Sequence, residues 1–180
     1  LGASRSSLCY HESMNNFDLH CHSTVSDGLL EPRDLIRRAA ANGVELLALT
    51  DHDHLGGLAE AREQADALGV CLVNGVEVSV SWGGLTIHVV GLGVDAANAR
   101  LAQGLAGVRG GRDSRALQMA DSLAASGIRG AYEGALRYVS NPALVSRSHF
   151  ARWLVEKRYA RDVANVFEHY LRRGKPASVA

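Results

Sequence analysis

The stretch FDLHCHSTVSDG, residues 17–28, places two histidines two positions apart, with an aspartate five residues after the second. In an extended segment side chains alternate between faces, so residues i and i+2 point the same way. Phe17, Leu19 and Cys21 then share one face, and His20 and His22 share the other. Two imidazoles aimed at one point can chelate a metal ion. A lone H-x-H is a weak pattern, so its meaning depends on what the rest of the chain sets beside it.

The next segments alternate in character. NNFDLHCHS reads as a short strand and EPRDLIRRAAANG as a helix, with Pro32 in its first turn, an apolar stripe of Leu35, Ile36 and Ala39, and Gly43 after its end. VELLALTDHDH opens on a continuous apolar run, as a parallel strand covered on both faces would. GLAEAREQADALG is a second helix, closed by Gly69, and VCLVNGVEVSV and LTIHVVGLGVD are two more strands. The order β-α-β-α-β-β predicts an α/β layer or barrel.

Each predicted strand carries a metal-capable group near its C-terminal end: His20 and His22 with Asp27 behind them, then His52, then Glu77, then His88. In α/β barrels these ends converge on one face, where active sites are built. Imidazole and carboxylate together, without thiolate, suit borderline to hard divalent cations. Taken singly, these residues have ordinary readings. His11, His54 and His169 are surface or hydrogen-bonding histidines, Asp51 and Asp53 cap the helix after Gly56 or pair with Arg62, and Cys21 belongs to the core. The joint pattern is much harder to explain that way.

From Ala96 to Gly174 the chain becomes rich in Ala, Leu and Arg, with helical spacing. LAQGLAGVRGGRDSRALQMADSLAASG predicts one long helix, or two interrupted at Gly110 and Gly111. ALVSRSHFARWLVEKR and ARDVANVFEHYLRRG predict two more. The expected division is an unstructured leader over residues 1–14, the α/β part over 15–98, a helical insertion over 99–175, and a return toward the α/β part at 176–180. LGASRSSLCYHES, upstream of Met14, is a poor signal peptide, and RRGKPASVA stops on what reads as the entry to a strand.

The 180 residues carry 19 basic and 19 acidic side chains, so no global charge draws the protein to nucleic acid or membrane. No apolar run reaches membrane-spanning length. Cys9, Cys21 and Cys71 are too few and too scattered for a disulfide framework. The expectation is a soluble cytoplasmic protein with no membrane and no protein partner.

DLHCHSTVSDG, LALTDHD, NGVEVS and IHVVGLG, in this order, resemble the first motifs of the PHP (polymerase and histidinol phosphatase) superfamily. NPALVSRSHFAR and YLRRGKP make the chain similar to a bacterial branch that includes 3',5'-nucleoside bisphosphate phosphatases and RNase AM. The resemblance implies the N-terminal part of a distorted (β/α)7 barrel with two or three divalent metal ions, manganese first, with zinc, iron or magnesium as alternatives. It implies that His20 and His22 hold the first ion, that Glu77 bridges, that Asp27 and His52 serve the second ion, and that His88 serves a third. Two later family motifs, an AHP-type strand and an aspartate-x-histidine pair, do not occur before Ala180, so this chain is expected to bind metal weakly and to turn over poorly on its own. The implied activity is hydrolysis of a nucleotide phosphate monoester, 3',5'-bisphosphate to 5'-monophosphate, by a metal-bound hydroxide. Alternatives are 5'-3' exonuclease-type processing of short RNA and an inactive metal-binding fragment.

Arginine offers planar, paired donors suited to a second phosphate. Arg112, Arg115, Ser146, Arg147 and His149 are the substrate-binding candidates, Arg147 foremost. Arg109 reads as part of a solvated helix face, Lys175 is evenly balanced, and Gly110 and Gly111 would let backbone approach a ligand.

Overall fold

The structure, a computed structural model, describes residues 16–83, 85–139 and 142–179. The expected leader over residues 1–14 lies outside the described residues.

The predicted β-α-β-α-β-β order is observed: β1 (Phe17–Cys21), α1 (Pro32–Ala41), β2 (Leu46–Leu49), α2 (Leu58–Leu68), β3 (Cys71–Trp82) and β4 (Leu85–Leu92). Spatial order follows chain order, β1-β2-β3-β4. The first two pairings are parallel and the third is antiparallel. The result is a curled, mixed four-stranded sheet. β2 is apolar throughout because it is the covered central strand, and Leu47, Ala48 and Leu49 are buried. α1 and α2 lay Ile36, Leu58, Ala61 and Ala65 against Leu47, Leu49 and Leu72. Gly69 closes α2 at φ +70, a left-handed conformation that glycine adopts without Cβ strain.

β3 decides the geometry of the site. Only its first part, Cys71 to Asn74, pairs with β2; from Gly75 onward it pairs with β4. It therefore runs past the end of β2, and Glu77 comes level with the loop after that strand, where an isolated bridge joins His52 to Glu77. Two expectations need correction here. Glu77 and His88 are not strand-tip residues; both sit inside the antiparallel β3–β4 ladder, where Glu77 faces Val90 and His88 faces Ser79. β1 is an edge strand among the described residues, its register with β2 slips between Asp18 and Cys21, and Phe17 stays 52% exposed and Leu19 41%.

The helices after β4 are α3 (Ala99–Gly110), α4 (Arg112–Ala125), α5 (Ala131–Leu136), α6 (Arg147–Glu156) and α7 (Val163–Val166), which runs on as a π-helical turn over Phe167–Leu171. The doubled glycine does separate two helices, with Gly111 between α3 and α4. α6 starts later than its amphipathic pattern predicts. The segment before it forms a short 3-10 turn, Pro142–Leu144, and Ser146 is the N-cap. Met119, Leu123, Phe150, Trp153 and Leu154 form this half's own apolar cluster. Phe150 and Leu154 have no exposed surface, a burial worth about 1.5–3 kcal/mol for each side chain. No helix among the described residues is long and apolar enough to cross a membrane.

Candidate metal centre

Four imidazoles surround one carboxylate. Glu77 Oε2 lies 2.6 Å from His20 Nε2 and 3.0 Å from His22 Nε2, and Oε1 lies 3.3 Å from His88 Nδ1. His52 Nδ1 is 3.8 Å from Oε2. On the far side, Asp27 Oδ1 lies 3.9 Å from both His22 Nδ1 and His52 Nε2. The rings pack in a row, with centroid spacings of 5.1 Å for His20–His22, 4.6 Å for His22–His52 and 4.9 Å for His52–His88. The structure thus brings together all six residues singled out in the sequence.

Local bonding explains why the loops hold this shape. Asp51 is buried at the end of β2 and accepts from Ser23 N–H at 2.7 Å, Ser23 Oγ at 2.6 Å and Ser26 Oγ at 2.6 Å. It pins the loop that carries His22 and Asp27 to the loop after β2 that carries His52. The same loop turns back tightly enough that a Cβ on Gly28 would sit 2.1 Å from the His22 carbonyl oxygen, so only glycine fits there. α6 braces it from outside, because Arg152 Nη2 donates to the Asp27 carbonyl oxygen. The roles expected for the two aspartates need correction: neither caps α2, and Arg62 instead donates to Leu72 O and to Asn74 Oδ1. Cys21 turns its thiol to Ala48 O at 3.2 Å, and burial, helped by Asp18 and Asp51, pushes its pKa up to about 12.

Charge is tuned for ligation. Burial works against ionisation of Asp27, but His52, the Ser148 hydroxyl and His22 outweigh it and hold the carboxyl below the usual carboxylate range. Glu77 is lowered likewise: burial opposes, and the hydrogen bond from His20 with the nearby imidazoles prevails. Burial lowers the His52 pKa and keeps its ring neutral. Ionised carboxylates and neutral imidazoles are the protonation states that metal binding requires. Buried polar atoms are nearly always hydrogen-bonded, yet His22 Nδ1 and His52 Nδ1 are buried without a partner. Those orphaned nitrogens and the thiolate-free donor set fit divalent cations. Three overlapping sets have donor atoms within 4.8 Å of one another: His20, His22, Glu77; His22, Asp27, His52; and His52, Glu77, His88.

The cluster forms the floor of a cavity of about 340 Å³, whose walls include Arg112, Arg115, Ser146 and Arg147. His149 does not line it. His149 is buried at 1% exposure, and its Nδ1 accepts the Ser146 N–H at 3.0 Å, closing the first turn of α6. Arg109 is not on a solvated face, because its Nη1 donates to Asp53 O at 2.6 Å. Lys175 is exposed, and neither it nor Gly110 and Gly111 line the cavity. Sequence reading missed Ser148 and Arg152, which act on Asp27, and gave Asp51 and Asp53 the wrong partners. Their only signal was proximity to the motifs.

Burial depresses the His149 pKa to about 4 from an ordinary 6.5, Asp27 partly offsetting it. The unfolded chain therefore binds a proton more readily than the folded one, and stability falls as pH drops from 6.5 and levels off near 4. The effect is on the order of 3 kcal/mol at its limit. His149→Gln keeps an acceptor at the third helical position and removes the titration. Thermal melts from pH 7 to 4 should show a shallower acid loss for the variant, and identical slopes would refute the role.

The PHP domain profile matches residues 18–109. The chain belongs to the PHP domain family. It is 54% identical over 93% of its length to a 3',5'-nucleoside bisphosphate phosphatase from Chromobacterium violaceum, of which it covers 59%. It is 43% identical over 91% of its length to the 5'-3' exoribonuclease Rnm from Escherichia coli, of which it covers 56%. A solved structure of an amidohydrolase from Chromobacterium violaceum, with bound sulfate and no metal, superposes with a TM-score of 0.89 at 54% identity, covering 92% of this chain and 58% of that one. This PHP chain thus spans less than two thirds of the relatives it matches.

Proposed function

We propose that this protein is a metal-dependent phosphoesterase that removes the 3'-phosphate of a nucleoside 3',5'-bisphosphate. The observation that carries the reading is one cavity holding three overlapping ligand sets, joined through Glu77, His22 and His52, beneath Arg112, Arg115 and Arg147. His20, His22 and Glu77 would hold one ion, His22, Asp27 and His52 a second, and His52, Glu77 and His88 a third. When bound, such ions supply Lewis acidity and offset charge on the phosphoryl oxygens. The arginines hold the non-reacting phosphate and so orient the other over the imidazole row. Asp27 and Glu77 are held below the usual carboxylate range and burial lowers the His52 pKa, so these three groups are already disposed to ligate at neutral pH. Similarity to a nucleoside bisphosphate phosphatase supports this substrate class, and the sulfate held by the related structure is consistent with an anion site.

A second reading, trimming of short RNA from its 5' end, is favoured by similarity to Rnm and by the open rim, where the His20 side chain is 51% exposed. The test uses the intact natural protein with manganese, zinc, iron or magnesium, on a nucleoside 3',5'-bisphosphate and on a 5'-phosphorylated short RNA. Products are resolved by chromatography before and after chelation. Phosphate release that chelator abolishes is the expected result. Mononucleotides from RNA alone would support the second reading, and no product with any metal would refute both.

A further inference from the structure

Asp53 follows the candidate ligand His52 and belongs to none of the three ligand sets. Its side chain has no exposed surface, and its φ is +50, an uncommon conformation for a residue other than glycine. Its carboxylate is fully engaged: Oδ1 accepts from Ser79 N–H at 2.7 Å, and Oδ2 accepts from Arg112 Nε at 3.0 Å and from Arg112 Nη2. Arg112 Nη2 also donates to Ser79 Oγ at 3.0 Å. The Asp53 backbone is held as firmly, its N–H donating to Glu77 O at 2.9 Å and its carbonyl accepting from Arg109. One residue therefore ties the end of the His52 loop, the β3 backbone on both sides of Val78, and two helices.

Arg112 is itself buried, yet it lines the cavity. Two of its three guanidinium nitrogens are committed to Asp53 and Ser79, and among the described residues Nη1 makes no hydrogen bond. We infer that Asp53 is a positioning residue for Arg112: it fixes the guanidinium by its Nε–Nη2 edge, so that Nη1 is the donor left for a phosphate in the cavity. This rests on reading the cavity as a phosphate site.

The inference predicts a sign. If Asp53 acted only through its charge, removing it would strengthen anion binding, because like charges repel. If it positions Arg112, removing the charge weakens anion binding. Asp53→Asn is the variant of choice, since Asn tolerates positive φ and keeps an acceptor for Ser79 N–H.

Inorganic phosphate is titrated calorimetrically into the metal-free intact protein, comparing wild type, Asp53→Asn, Arg112→Gln and the double variant. Asp53→Asn and Arg112→Gln should each weaken phosphate about tenfold, the low end for one charge-assisted hydrogen bond. The double variant should be within about twofold of Arg112→Gln, because the two residues act as one unit. Tighter or unchanged binding in Asp53→Asn overturns the inference, as does full additivity. Should Asp53→Asn fail to fold because Arg112 is left unpaired, the double variant is uncharged at both positions, and a further tenfold loss relative to Arg112→Gln overturns the inference. A wild type that binds no phosphate overturns it together with the phosphate-site reading. Turnover of the bisphosphate by metal-loaded wild type is scored separately, so an additive cycle in an active enzyme sinks the role of Asp53 alone.

Discussion

Replacing Glu77 by glutamine should nearly abolish metal-dependent turnover in the intact protein. The loss should exceed the roughly 10- to 100-fold that substitutions behind metal ligands cost. Glu77 belongs to two of the three ligand sets, and its two oxygens lie within 3.3 Å of nitrogens on His20, His22 and His88. Glutamine has nearly the same shape, so packing is retained, but it removes the charge that would draw cations to the two ligand sets that Glu77 shares. It also turns an acceptor-only group into one carrying N–H donors. The side chain is only 7% exposed, and its oxygens face the neighbouring imidazoles. Manganese titration should show weakened binding and lower stoichiometry, with the thermal midpoint of metal-free protein little changed. Turnover within tenfold of wild type at saturating metal would refute the bridging role.

Arg147→Ala should act in a different way. Arg147 is the first residue of α6 and lines the cavity outside the imidazole cluster. A group that grips a non-reacting phosphate contributes binding and orientation, while the chemistry stays with the floor of the site. Loss of one charge-assisted contact is worth about 1.5–3 kcal/mol, or roughly 10- to 150-fold. kcat/KM for a substrate with two phosphates should fall by that factor. A simple phosphate monoester should be hydrolysed almost as before, whereas His20→Ala should damage both substrates alike. If the ratio of the two kcat/KM values does not move in Arg147→Ala, Arg147 is only a helix residue and the second-phosphate site lies elsewhere.

The part of the site legible in the sequence was the part made of rare, chemically distinctive residues. His20, His22, His52 and His88 announce themselves, and their ordered motifs carried the family resemblance. The supporting residues do not. Asp51 and Asp53 are adjacent to the motif and look alike, yet Asp51 locks a loop 25 to 28 residues upstream and Asp53 pairs with Arg112, 59 residues downstream. Local reading offers a helix cap or the nearby Arg62, and both were reasonable guesses for these aspartates. Burial overrode them, because a buried carboxylate must take whatever donors the fold supplies.

His149 shows the same limit from the other side. In SRSH it looks like a ligand-binding histidine, and only packing reveals that its Nδ1 closes a helix turn. In VRGGRDSR Arg109 reads as solvated and Arg112 as a phosphate ligand, yet one grips a backbone carbonyl and the other a buried carboxylate. The sequence by itself determined the alternation of strands and helices and the six metal-capable side chains, because hydrophobic period and residue chemistry are local properties. Tertiary structure alone decided that β3 outruns β2 and turns antiparallel into β4, setting Glu77 level with His52 and bringing His88 in from mid-strand. That depends on which backbone hydrogen bonds remain open once β2 ends, and strand pairing between distant segments is not written in the pattern of either segment alone.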